Sequence, residues 1–95
     1  MEFNQVRASH ILVATEEEAK NLKKGIEDGT ITFEDAAIEF SLCPSGSAGG
    51  DLGYFGRGMM VSEFEEASFN GEIGSVSDPI QTQFGWHLIK VIDKK

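Results

Sequence analysis

Alternation at the two ends of the chain sets its frame. Over residues 7–14, Ala8, His10 and Leu12 fall on one side of a strand and Ser9, Ile11 and Val13 on the other. Over residues 86–92, His87, Ile89 and Val91 share a face in the same way. Between these segments the period lengthens. Thr15-Glu16-Glu17-Glu18 has the capping-box spacing, so a helix is predicted to about Asp28, with Ala19, Leu22 and Ile26 inward and Gly29 as its stop. Thr32 caps a second helix whose Phe33, Ala36, Ala37 and Phe40 form one stripe. Residues 41–50, small and glycine-rich, predict a loop. Residues 51–57 predict a short strand with Leu52 and Tyr54 on one side and Phe55 on the other. Ser62 to Glu65 repeats the capping-box spacing and opens a helix through Phe69, ended by Asn70-Gly71. Residues 76–82 read as a strand, with Pro79 suiting a sheet edge.

Strand–helix–helix–strand–helix–strand–strand is an α+β order, not a βαβ alternation. If the first and last strands are neighbours, their histidines can face each other across the sheet. The 95 residues predict one domain, residues 1–95, with a core small enough that its apolar faces meet in one place. The formal net charge of −8 repels phosphate backbones, which argues against nucleic-acid binding. Lys20, Lys23 and Lys24 read as a solvated helix face. No apolar run approaches a membrane span, and no secretory signal is visible in residues 1–6. With a single cysteine, the expectation is a cytoplasmic chain working away from membranes; a domain cut from an exported protein would read the same.

The candidate chemistry centres on His10, His87 and Cys43. An imidazole among strand-forming apolar residues is costly to bury unless its ring nitrogens are hydrogen-bonded. Three zinc-capable side chains are present, but no paired Cys-x-x-Cys or helical histidine spacing accompanies them, so no metal is expected. The glycines of residues 46–58 lack the Gly-Lys-Ser/Thr ending of a phosphate loop and read as turn formers. A cysteine hydrolase would need an acyl cleft and oxyanion hole, for which so short a chain leaves little room. Leu52, Met60, Phe64 and Phe84 could line an apolar ligand pocket, although core packing explains each alone.

Five motifs, in order, cover nearly the whole chain. They are Ala8-Ser9-His10-Ile11-Leu12-Val13, Phe40-Ser41-Leu42-Cys43-Pro44-Ser45-Gly46, Gly49-Gly50-Asp51-Leu52-Gly53-Tyr54-Phe55, Met60-Val61-Ser62-Glu63-Phe64, and Thr82-Gln83-Phe84-Gly85-Trp86-His87-Leu88-Ile89. Through them the chain resembles the parvulin (PpiC-type) family of peptidyl-prolyl cis/trans isomerases. The resemblance implies a four-stranded antiparallel sheet with about four helices. It implies that His10 and His87 are hydrogen-bonded partners beneath the site, with Thr82 joined to them. By the same resemblance Cys43 lies near the rotating carbonyl without a covalent step, Leu52, Met60 and Phe64 receive the proline ring, and Phe84 lines the pocket. Trp86 departs from the residues usual before the second histidine, which implies altered packing there.

Catalysis by resemblance needs no cofactor, and the partners are proline-containing peptides and unfolded protein segments, bound by a monomer. Phosphate-dependent members carry a basic cluster after the first strand. Here that stretch is Val13-Ala14-Thr15-Glu16-Glu17-Glu18, so no phosphate dependence is expected, with neutral or basic residues suited to the position before proline. A binding module with the same fold but no isomerase activity is the rival reading. It would have lost pocket or histidine residues, and this chain keeps them.

Overall fold

The alternating segment at the start of the chain forms strand β1 (Gln5–Val13), and its counterpart forms β4 (Gly85–Lys94). The computed structural model describes residues 4–95. The order continues from β1 through α1 (Glu16–Asp28), α2 (Phe33–Phe40), a 3-10 helix (Pro44–Ala48), β2 (Asp51–Gly56), α3 (Ser62–Asn70) and β3 (Ile80–Thr82) to β4. The strands form one antiparallel sheet in the order β2-β1-β4-β3, so the two ends of the sequence supply the two central strands. Instead of about four helices, there are three α-helices and one 3-10 helix among the described residues.

Local chemistry explains the first two helices. Thr15 Oγ accepts from the Glu18 amide and donates to the Glu18 carboxylate, and Gly29 closes α1. Thr32 Oγ accepts from the Asp35 amide at the start of α2. The third helix departs from the expected pattern. Ser62 is its first helical residue, and the capping position belongs to Val61, whose side chain cannot cap. Glu65 is turned back onto the preceding loop instead, accepting from Gly58 N at 2.6 Å and facing Arg57 at 3.5 Å.

The core lies on both faces of the sheet, not in one place. On one face Val6, Ala8, Phe55, Ile89 and Val91 pack with Phe64 and Phe69 of α3. On the other, Ile11, Val13 and Leu88 pack with Ala19 of α1 and Phe33, Ala36 and Ala37 of α2. A sheet covered by helices on both sides needs apolar residues at both phases of its central strands, which Ala8–Val13 supplies. Trp86 packs against the α1–α2 layer, on the face away from His87.

Strict alternation in β2 would part Leu52 from Phe55, yet both pack in the α3 layer. The cause is a bulge: Arg7 opposes Tyr54 while Ser9 opposes Asp51, so β2 carries one extra residue. Gly53 occupies it at φ 70°, and its amide donates to Asp51 Oδ1 at 2.9 Å. Arg7 holds the same carboxylate at 2.6 Å, which keeps Asp51 below the usual carboxylate range. Gly50 is required for a different reason. Its carbonyl accepts from His10 N at 2.9 Å, and a Cβ there would lie 2.4 Å from the His10 carbonyl oxygen.

Within α3, Ser68 Oγ is fully buried and has no hydrogen-bond partner among the described residues. Ser68→Ala removes that unsatisfied hydroxyl and improves helix propensity. We expect a gain of about 1 kcal/mol, seen in thermal unfolding as a midpoint about 5 °C higher. A lowered midpoint would show that the hydroxyl is satisfied.

Candidate active site

Antiparallel pairing sets the two histidines diagonally, His10 opposite Ile89 and His87 opposite Leu12. Both side chains leave the α3 face of the sheet, and their Nδ1 atoms meet at 3.0 Å. The chain of contacts extends both ways. His10 Nε2 lies 3.1 Å from Ser45 Oγ in the 3-10 helix, and His87 Nε2 lies 2.7 Å from Thr82 Oγ1 at the end of β3. Thr82 Oγ1 also accepts from Phe84 N at 3.2 Å.

Two directions fit these bonds. In one, Thr82 Oγ1–H donates to His87 Nε2, His87 Nδ1–H to His10 Nδ1 and His10 Nε2–H to Ser45 Oγ; in the other, every donor and acceptor is exchanged, and Thr82 Oγ1 accepts from Phe84 N in both. Two neutral imidazoles thus satisfy all four contacts. Two imidazolium rings would oppose N–H to N–H. Burial is the main cause that lowers the pKa of both rings; with His87 alongside, His10 falls from 6.5 to about 4. Phe64 seals the pair from α3, its ring edge-on to both imidazoles at 5.4 Å.

The folded pair binds protons more weakly than unfolded histidine. As pH falls, the unfolded chain is therefore protonated first. The stability that the neutral His10 provides is fully present above about pH 6.5 and is lost between there and about pH 4. Denaturant titrations across that window should show about 3 kcal/mol of lost stability traceable to His10. A flat profile down to pH 4.5 would contradict a neutral, buried pair.

Above the histidines opens a cleft of about 550 Å³. His10, His87, Cys43, Leu52, Met60, Phe64 and Phe84 all line it, so the structure brings together seven of the eight residues singled out in the sequence. Thr82, the eighth, stands behind His87 and is buried. Cys43 is fixed by its neighbours: Ser41 Oγ accepts from the amides of Leu12 (3.1 Å) and Cys43 (3.3 Å), and Leu42 N donates to Leu12 O (2.8 Å). Among the described residues, no group of three or more His, Cys, Asp or Glu side chains is placed to hold a metal ion.

The family model of the rotamase, or PPIC-type PPIASE, domain matches residues 7–93. The chain belongs to this family, the parvulin-type peptidyl-prolyl isomerases. It is 51% identical over 92 residues to the foldase protein PrsA of Geobacillus kaustophilus, covering 96% of this chain and 32% of that protein. The Bacillus subtilis PrsA foldase is 45% identical over 92 residues, with 96% and 31% covered. The chain spans about a third of the length of these curated relatives. Among solved structures, the peptidylprolyl isomerase PrsA of Bacillus anthracis superposes with a TM-score of 0.94 at 46% identity, over 98% of this chain and 43% of that one. NmPin, the parvulin of Nitrosopumilus maritimus, gives 0.86 at 39% identity, over 98% of this chain and all of NmPin.

Within this parvulin domain the structure adds residues that sequence patterning missed. Ser45 completes the histidine chain, and Leu12, Leu42, Met59 and Val61 join the cleft wall. Leu12 could have been found, since it shares the strand face of His10. A serine within a glycine-rich loop and an apolar residue between elements carry no periodic signal.

Proposed function

We propose that the cleft holds the proline ring of an X-Pro segment against Leu52, Met60 and Phe64 while the preceding carbonyl rotates near Cys43. Rotation about the bond meets a resonance barrier of roughly 18–20 kcal/mol, and uncatalysed exchange takes tens to hundreds of seconds. No bond need break. The enzyme has only to bind the twisted amide better than either planar form. The observation that carries this reading is a mainly apolar cleft floored by two neutral histidines. Planar amides are the more polar and better hydrated state, so a water-poor wall disfavours them relative to the twisted amide. His10 and His87 act as positioning residues. Through Ser45 and Thr82 they tie the Cys43-bearing loop to the turn that carries Phe84. Exchange spectroscopy on proline tetrapeptides tests the assignment: cross-peaks should grow with added enzyme, and their absence would refute it.

Catalysis without phosphate dependence is part of the same proposal. Among the described residues no lysine or arginine lines the cleft, and Arg57 is engaged by Glu65 and by the Phe69 ring. Exposed Glu16, Glu17 and Glu18 after β1 add negative potential. Phosphorylating a serine before proline should lower kcat/KM, by roughly tenfold at low salt, with the effect shrinking as salt rises. Faster turnover of the phosphorylated peptide would overturn the claim. The clients are proline-containing protein segments in unfolded form. Foldase relatives favour a domain of an exported foldase over the cytoplasmic setting, for which they offer no support. No helix among the described residues is long and apolar enough to cross a membrane.

A further inference from the structure

A second groove, of about 480 Å³, runs between α3 and β3 and shares no lining residue with the cleft. Its floor is the half-buried Ala67, Pro79 and Ile80, of which Ala67 and Ile80 also pack on the α3 core layer. Glu63, Glu66 and Asn70 stand exposed along the helical wall, three and four residues apart on one side of α3. The other wall is a sheet edge. β3 ends the order β2-β1-β4-β3, so one side of its backbone has no strand partner among the described residues. Three residues preceded by a proline are too short an edge to template aggregation, yet they can pair with one short extended segment. The charge of the groove is one-sided. Among the described residues, Glu63 and Glu66 are its only ionisable lining groups, and neither has a salt-bridge partner. Glu65, between them, is tied to Arg57, and Glu16, Glu34, Asp51 and Asp78 each face a lysine or arginine. The dipole of α3 accounts for acid in its first turn, Glu63 and Glu65, but not for Glu66 beyond it.

We propose that this groove is a second peptide-binding site, which takes an extended, lysine- or arginine-bearing segment of unfolded client and holds it beside the cleft. The segment pairs with the free side of β3, sets an apolar side chain on Ala67 and Ile80, and places its cations against Glu63 and Glu66. From Glu63 to Asn70 the helix rises about 10 Å, the span of roughly three extended residues. That matches the length of β3. An unfolded client is the occupant because the pairing needs backbone not yet engaged in structure of its own. Groove and cleft are neighbours: Glu63 lines the one and Phe64 the other, as do Gln81 and Phe84 across the β3–β4 turn. A client held in the groove therefore keeps its prolines near the cleft and raises their effective concentration there. That consequence rests on the cleft being the isomerase site proposed above, whereas the binding itself does not.

The test is an NMR titration of the 95-residue protein with the proline-free peptides Thr-Lys-Val-Lys-Val and Thr-Glu-Val-Glu-Val. The lysine peptide should shift the amides of residues 63–70 and of Ile80–Thr82, less so as salt rises, and the glutamate peptide should not. Glu63→Gln/Glu66→Gln should weaken binding about fivefold. Glu17→Gln/Glu27→Gln, which removes the same charge from α1 on the opposite face, should leave binding unchanged. Glu63→Lys/Glu66→Lys should transfer the preference to the glutamate peptide. All four sites are exposed, and thermal melts would verify that each variant is folded. Turnover tests the second half. Joining the lysine peptide to a proline tetrapeptide through a flexible spacer should lower KM on the wild type but not on Glu63→Gln/Glu66→Gln, while both turn over the bare tetrapeptide equally. Shifts absent or confined to the cleft, equal losses in the two glutamine variants, or one KM for joined and bare peptides on the wild type would overturn the proposal. If the wild type left the bare tetrapeptide unisomerised, the isomerase reading would fall, and the titration would still decide the groove.

Discussion

Replacing Phe64 with alanine is expected to have the largest effect of any single substitution in this domain, because one ring serves both core and site. Phe64 is buried in the α3 layer, packs on Phe55 with ring centroids 6.0 Å apart, and lies edge-on to both histidines. Removing a buried phenylalanine ring costs about 3–5 kcal/mol in transfer and cavity terms. For a domain of this size that is a fall of roughly 15–30 °C in thermal midpoint. The cavity would also admit water beside His10 and His87, weakening the burial that keeps them neutral. Activity should fall at least about tenfold even at temperatures where the variant is folded. Phe64→Leu, which refills most of the volume, should recover much of the stability and less of the activity. If Phe64→Ala melted like wild type, the ring would not be the keystone between α3 and the histidines.

The second large effect is expected from His10→Ala. It removes the partner of His87 Nδ1 and of Ser45 Oγ together, leaving one buried and one half-buried polar atom unpaired. The expected loss is about 2–4 kcal/mol, combining unsatisfied hydrogen bonding with the vacated volume. His87→Ala should cost a similar amount by the same mechanism. The double variant should lose at least about 1 kcal/mol less than the sum, because the second removal no longer orphans a partner. Additive losses would mean that the 3.0 Å contact contributes nothing. In the double variant the stability lost between about pH 6.5 and 4 should also flatten. A merely volumetric role for the rings would leave that slope in place.

How far the sequence could be read depended on whether periodicity carried the information. The faces of β1 and β4 follow from alternation, so Ala8, His10 and Leu12 fall where expected, and the histidines meet once the strands are neighbours. Where one residue interrupts the period, the reading fails. Gly53 in its bulge turns Leu52 toward the side of Phe55, and nothing in the local pattern distinguishes a bulged glycine from an ordinary strand glycine. Residues 44–48 wind into a 3-10 helix too short to show a stripe. Residues 76–82 form a strand only at Ile80–Thr82; Val76 contributes an isolated bridge to Lys90, and Pro79 bars the pairing from running through. The cleft residues were legible mainly through family motifs. Ser45 lies in that 3-10 helix and Leu42 and Met59 in loops, where chemistry is set by backbone hydrogen bonds that no spacing announces.

The central placement of β1 and β4 has a temporal consequence. His10 and His87 are 77 residues apart in sequence, and the pairing that joins them is also the spine of the sheet. A chain emerging from synthesis would therefore display its first strand, its early helices and Cys43 with only the β1–β2 pairing available to hold them. Such non-local closure is slow by the standards of small domains. Core, cleft and histidine floor must appear together, when Gly85–Lys94 slots in beside β1. A folding catalyst built this way cannot assist its own unfinished chain, since it has no active form before its own fold is complete.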